Sequence, residues 1–180
     1  MKKKLTITLF LVLCCSIING QANLQYESEL KIKKIFGEEV LVSFSKIDLI
    51  SAGKQMSEKK AGDRFYSSYL FRWIINKNDR HIGTAYLDNT KGKMQPISFL
   101  VVLDSISRIS NVEIVKYRES HGGQVREKNW LSQFIGKDEN SGYKVGKDIN
   151  SISGATISTH SVSKAVERIM LLDKHLRGQK

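Results

Sequence analysis

Residues 150–162 read NSISGATISTHSV, placing Ser153, Gly154, Ala155 and Thr156 together, then Ser158, Thr159 and Ser161, directly before an apolar-periodic segment. The ordinary use of hydroxyls at a helix start is capping, in which Ser158, Thr159 or Ser161 accepts a bond from an orphan N–H. Capping needs one hydroxyl, not this many. Gly154 and Ala155 are small enough for the backbone to come close to a bulky ligand, and the free N–H groups and positive dipole end of a helix suit a phosphate. The dipole contributes only about 0.3–1 kcal/mol at an exposed site. That is too little to retain a ligand outside a cell, so a covalent link through one of the hydroxyls is the chemistry this spacing suggests.

Other chemistries find less support. His81, His121, His160 and His175 are scattered without the i,i+4 spacing of a zinc site, and each reads as an ordinary surface or core histidine. There is no GxSxG, no Walker A loop and no GxGxxG. A standard hydrolase, a P-loop enzyme and a dinucleotide-binding domain are therefore disfavoured.

The elements that must position the motif follow from periodicity. From Val162 onward, Val162, Ala165, Val166, Ile169, Leu172 and Leu176 predict an amphipathic helix, with Lys174, His175 and Arg177 suiting its negative end. YLFRWIIN (69–76), the turn-like NKNDR and HIGTAYL read as a β-hairpin, and PISFLVVLD (96–104) with RISNVEIVKYRE (108–119) as a second antiparallel pair. Residues 23–36 suit a short helix, 37–63 form a mixed segment with VLVSF (40–44) as a strand or helix start, and 127–137 predict a helix ending at Gly136. Between them SHGGQV breaks the sheet pattern, since paired glycines permit a sharp turn or a close ligand approach. The expected fold is α/β of the α+β kind, a twisted, largely antiparallel sheet with packed helices.

Lys2, Lys3 and Lys4, an uncharged run of 14 residues from Leu5 to Ile18, and the small Gly20 have the layout of a signal peptide, and a bilayer span needs about 20 apolar residues. The expectation is an exported chain cleaved after Gly20, with a retained anchor as the alternative. Neither Cys14 nor Cys15 has the small preceding residue that lipidation favours. Both cysteines lie in this leader, so the remaining 160 residues hold no disulfide, Cys–metal site or thiolate nucleophile. Without the three leader lysines the net charge falls from +11 to +8, which suits an anionic membrane surface or an acidic partner. The basic residues are not clustered with aromatics, so no nucleic-acid partner is expected.

Ser153-Gly154-Ala155-Thr156, with the IST after it, resembles the flavinylation motif of the FMN-binding domain family, which includes flavin-carrying subunits of sodium-pumping NADH:quinone oxidoreductases and Rnf-type complexes and small exported flavoproteins. The strand pair at 96–119, the Glu-Ser-x-Gly turn and WLSQFIGK are similar to further family segments, so the likeness spans roughly 80–170 within a single domain over 21–180. The resemblance implies FMN esterified through its phosphate to Thr156 by a FAD:protein FMN transferase. It implies phosphate contacts from Ser153, Gly154, Ala155, Ile157 and Ser158, and a ring bordered by Glu119, Ser120, Gly122 and Gly123. Trp130 and Phe134 are either packing partners of the ring or, four residues apart, plain core. One departure stands out: the family carries Asp six residues before the threonine, where this chain has Asn150, with Asp148 two residues earlier. The expected role is extracytoplasmic electron transfer with a membrane or extracytoplasmic redox partner, rather than a stand-alone enzyme. The alternatives are a non-redox exported binding module and an FMN-dependent reductase with its own small substrate.

Overall fold

The computed structural model describes residues 22–50 and 53–179. The expected leader lies outside them. Five strands, β1 (Leu41–Asp48), β2 (Tyr69–Lys77), β3 (Arg80–Thr90), β4 (Ile97–Asp104) and β5 (Ile109–Lys116), form one open antiparallel sheet in sequence order. The β2–β3 hairpin turns at Asn78 and Asp79, both with positive φ (50° and 58°), as a tight turn matching the strand twist requires. Strand β4, interior to the sheet, is buried from Ile97 to Leu103, because both of its faces are covered.

On one face lies α4 (Thr156–Arg177), whose buried Val162, Ala165, Val166, Ile169, Met170 and Leu172 meet Tyr86, Phe99, Val101 and Leu103 of the sheet. Each fully buried aliphatic of that stripe contributes about 1.5–3 kcal/mol. Ile169→Ala would break the packing at its centre. Helix α2 (Lys54–Ala61) packs beside α4. The other face is covered by α1, residues 22–36, with Ile32 fully buried against Trp73, Ile75, Leu100 and Val102. After β5 the chain makes a 3₁₀ turn (Gly123–Arg126), the single-turn α3 (Lys128–Leu131) and a second 3₁₀ turn (Ser132–Phe134).

A buried ionic cluster fixes α4 against the end of β3. Arg168, fully buried, donates to the carboxylate of Asp63 and the carbonyl of Arg64 through Nη1, and to Asp88 Oδ2 (2.7 Å) through Nη2. Two residues on, Thr90 Oγ1 donates to Ser161 O (3.2 Å). The loop that leaves β3 is thereby held beside the N-terminal turns of α4.

The mixed 37–63 segment resolves into β1, the strand alternative for VLVSF, and α2, whose KQMSEKKA buries only Ser57 and Ala61 and so carries no apolar stripe to read. Two local expectations need correction. The helix expected over 127–137 is one α turn followed by 3₁₀ geometry, stopped by Gly136 at φ 80°. Helix α4 begins six residues earlier than its apolar periodicity, at Thr156, and its N-cap is Ala155 with no side-chain cap. The hydroxyl expected to cap turns back instead: Thr159 Oγ1 donates to the carbonyls of Ala155 (3.1 Å) and Thr156 (2.9 Å).

Candidate functional site

The motif forms the corner at which an irregular segment becomes α4. Gly154 adopts φ 77°, a left-handed conformation that a residue with a Cβ takes only at a cost. Ala155 is buried, and Thr156 stands exposed as the first helical residue. The first N–H groups of an α-helix have no intrahelical acceptor, so those of Thr156, Ile157 and Ser158 point out of the turn available to a ligand. Ser158 is buried, and its Oγ lies 3.2 Å from the Tyr117 hydroxyl.

Tyr117 joins this corner to the turn after β5. Its hydroxyl also lies 2.5 Å from the carbonyl of His121, to which it donates. Gly122, at φ 76°, comes so close that a Cβ there would lie 3.2 Å from Ala155 Cβ and 3.0 Å from Tyr117 Oη. Residues 33 positions apart therefore pack closely, one having no side chain and the other only a methyl. In the same turn Ser120 Oγ and His121 Nδ1 are 2.9 Å apart. Glu119 Oε1 accepts the N–H groups of Met94 (2.6 Å) and Gln95 (3.0 Å) from the β3–β4 loop. These bonds, Gln95 first and Met94 next, hold the Glu119 carboxyl below the usual glutamate range.

Together the three segments enclose a cavity of about 620 Å³ lined by Lys93, Met94, Glu119, Ser120, His121, Gly122 and 154–158. Eight of the residues singled out by the sequence thus share one space: Glu119, Ser120, Gly122, Gly154, Ala155, Thr156, Ile157 and Ser158. Ser153 and Gly123 are not part of its lining; Gly123 opens the 3₁₀ turn and sits against Arg126. Trp130 and Phe134 are buried core, edge to face with centroids 5.3 Å apart, and do not line the cavity. Trp130 serves the motif from below, its Nε1 donating to the carbonyl of Asn150 (2.8 Å). The Asn150 N–H donates to Gln133 Oε1 (2.7 Å). Asp148 does not stand in for the missing acid: its carboxylate accepts the Lys144 N–H (3.0 Å) and lines a separate cavity with His160 and Glu167.

Lys93, Met94 and His121 were not singled out from the sequence. KGKMQP between two strands gives a turn signal in Gly92 and Pro96, but nothing local tells that its tip meets the turn after β5. Among the described residues, no group of three or more His, Cys, Asp or Glu could hold a metal ion. In the same residues no helix is long and apolar enough to cross a membrane.

Residues 92–170 match the family model of the FMN-binding domain. This segment is an FMN-binding domain. No curated protein matches the chain. The matched segment opens at Gly92, within the loop held by Glu119, and closes inside α4, so it takes in every residue that lines the cavity. FMN is the cofactor such a domain carries, and the geometry suits it. The cavity volume falls within the roughly 300–1,000 Å³ usual for cofactor sites. The α4 N-terminus offers three N–H donors for a phosphate, and the absent Cβ of Gly122 lets the turn close against the motif.

Proposed function

We propose that this FMN-binding domain belongs to an exported electron-transfer flavoprotein whose FMN is joined through its phosphate to Thr156. The observation that carries the reading is the state of the hydroxyls at the start of α4. Ser158 is buried against Tyr117 and Thr159 is bonded to two carbonyls, whereas Thr156 is exposed on the cavity lining beside free helix N–H groups. In maturation by a FAD:protein FMN transferase, the Thr156 hydroxyl oxygen attacks the flavin-side phosphorus of FAD. A new P–O ester bond forms, the pyrophosphate P–O bond breaks, AMP leaves, and the hydroxyl proton is lost. The N–H groups of Thr156, Ile157 and Ser158 then hold the phosphate oxygens, while Glu119, Ser120 and Gly122 border the ring.

The bound flavin supplies reversible electron transfer, and the protein supplies orientation and electrostatics. Export is supported by the Lys-rich start and short apolar run before Gly20. The test is an intact mass of the chain coexpressed with the transferase and exported. It should show a gain of one FMN less one water on the peptide containing Thr156, abolished by Thr156→Ala. A modified mass that survives the substitution makes Ser158 or Thr159 the acceptor and sinks the assignment. No gain in either protein sinks the covalent reading.

A second reading rests on one finding that the sequence did not offer. Lys93 and His121 bring ionisable groups to the same cavity, which is what a reductase acting on its own small substrate would need. Rapid bleaching of the oxidised flavin by a single metabolite would favour it; reoxidation of the reduced flavin by a quinone or an acceptor protein alone favours the electron carrier.

A further inference from the structure

The loop of residues 91–96 forms one wall of the cavity, yet it has little of its own to stand on. None of its residues belongs to either apolar cluster among the described residues, and Met94 is 79% exposed. Its ends are fixed by the Thr90–Ile97 pairing and the Thr90 bond to Ser161; what holds its tip comes from two consecutive residues after β5. Glu119 Oε1 accepts the N–H groups of Met94 and Gln95, and Arg118 Nη1 donates to the Pro96 carbonyl (3.2 Å) and to Ser98 Oγ (3.3 Å). Gly92 lies buried beneath the carboxylate, where a Cβ would run into Glu119 Oε1 and the carbonyl oxygen of Gln95. Such a fit is specific to a loop in this one position.

We propose that Glu119 is a positioning residue whose carboxylate latches the 92–95 loop to the turn after β5, so that Lys93 and Met94 are held as a preformed wall of the FMN cavity. A carboxylate accepting two backbone N–H bonds makes stronger contacts than a neutral acceptor. Its charge therefore matters as well as its shape. The latch brings the Lys93 cation to a cavity that already presents a helix N-terminus, which suits a phosphorylated ligand. The consequence for the ligand rests on the FMN reading above; the latch itself does not.

The test separates the two. In the flavin-free chain, hydrogen exchange gives protection factors for the Met94 and Gln95 amides, and fluorescence titration with FMN gives the affinity of the same protein made without the transferase. Glu119→Ala should lower both protection factors roughly tenfold and weaken FMN to a similar degree, the loss expected for bonds to a charged group. Glu119→Gln, which keeps an oxygen acceptor without charge, should fall between and serves as the folded control if the alanine variant is unstable. A pH series adds a readout that packing alone would not give. Lys93 on the loop, Arg118 beside it and His121 on the turn are the other charged or titratable groups around this carboxylate. Wild-type protection should persist below the usual glutamate range and then collapse, while that of Glu119→Gln should stay flat. Unchanged exchange at Met94 and Gln95 in Glu119→Ala overturns the latch, and lost protection with unchanged FMN affinity overturns its role in the cavity. If the parent chain fails to bind FMN, the cofactor reading fails and the exchange data still decide the latch.

Discussion

Gly122→Ala and Gly154→Ala form a matched pair that tests how the cavity is assembled. Both glycines sit in nearly the same left-handed conformation, φ 76° and 77°, so each alanine carries a backbone cost of about 1–2 kcal/mol. Around Gly154 nothing lies within 4 Å of a built Cβ, and the cost should end there. At Gly122 the methyl would meet Tyr117 Oη at 3.0 Å and Ala155 Cβ at 3.2 Å. One of these neighbours must give by a few tenths of an ångström. If Tyr117 yields, its bonds to the His121 carbonyl and Ser158 are disturbed; if the turn yields, the cavity wall parts from the motif. Loss of one such hydrogen bond adds about 0.5–1.5 kcal/mol, giving roughly 2–3 kcal/mol for Gly122→Ala against 1–2 for Gly154→Ala. At about 2–4 °C per kcal/mol for a chain of this size, thermal unfolding should separate the variants by a few degrees. FMN titration should show the larger loss for Gly122→Ala. Equal unfolding midpoints would refute the argument that the turn and the motif are in tight contact.

Other consequences follow from single contacts. Arg168→Met should cost about 3–5 kcal/mol in denaturant unfolding, because it leaves the buried carboxylate of Asp88 without its partner. Asp138, bonded by Ser141 Oγ and then by the Asn140 N–H, is held below the usual aspartate range. The stability it lends is present above the unfolded value near 3.8 and is lost as pH falls through the lower folded value, so Asp138→Asn should flatten the acid limb of the unfolding midpoint. Asn150→Asp should raise the flavinylated fraction under limiting transferase, since an ionised acceptor near a helix start makes stronger bonds. Asp148→Asn should leave that fraction unchanged, because Asp148 is committed to the Lys144 amide; a drop would show that it reaches the motif.

Much of the fold was legible where a face is buried. The β2–β3 hairpin and the β4–β5 pair announce themselves through β-branched and aromatic runs broken at Asn78–Asp79 and Ser105–Ser107. Helix α4 is readable from its apolar spacing, but its first six residues are not, because hydroxyls rather than aliphatics occupy that turn. Helix α2 was invisible for the same reason: only Ser57 and Ala61 are buried, and neither marks a stripe. At the site the motif and the Glu-Ser-x-Gly turn were readable as local signals. Lys93 and Met94 were not, since the place of their loop depends on bonds from Met94 and Gln95 to Glu119, 25 and 24 residues further on. Ser153 and Gly123 lie outside the cavity lining. They neighbour cavity residues in sequence, but the chain reverses at Gly154 and Gly122, so nearness along the chain does not become nearness to the cavity.

Trp130 and Phe134 mark a subtler division of labour. Of the two readings open for them, ring partners or plain core, the core one holds, and yet their segment still serves the site by binding the backbone of Asn150. Trp130 Nε1 holds the Asn150 carbonyl, Gln133 Oε1 takes the Asn150 N–H, and Gln133 Nε2 donates back to the Trp130 carbonyl (3.1 Å). The base of the motif loop is thus clamped to a buried ring, its top is clamped by Tyr117 against Ser158, and the facing loop is clamped by Glu119. The top clamp uses the Ser158 hydroxyl and Thr159 is bonded to two carbonyls, so of the hydroxyls on the first turn of α4 only Thr156 is left exposed to the cavity. On the proposed covalent reading, selection of one threonine among several neighbouring hydroxyls needs no special reactivity; it follows from which of them the fold has already used.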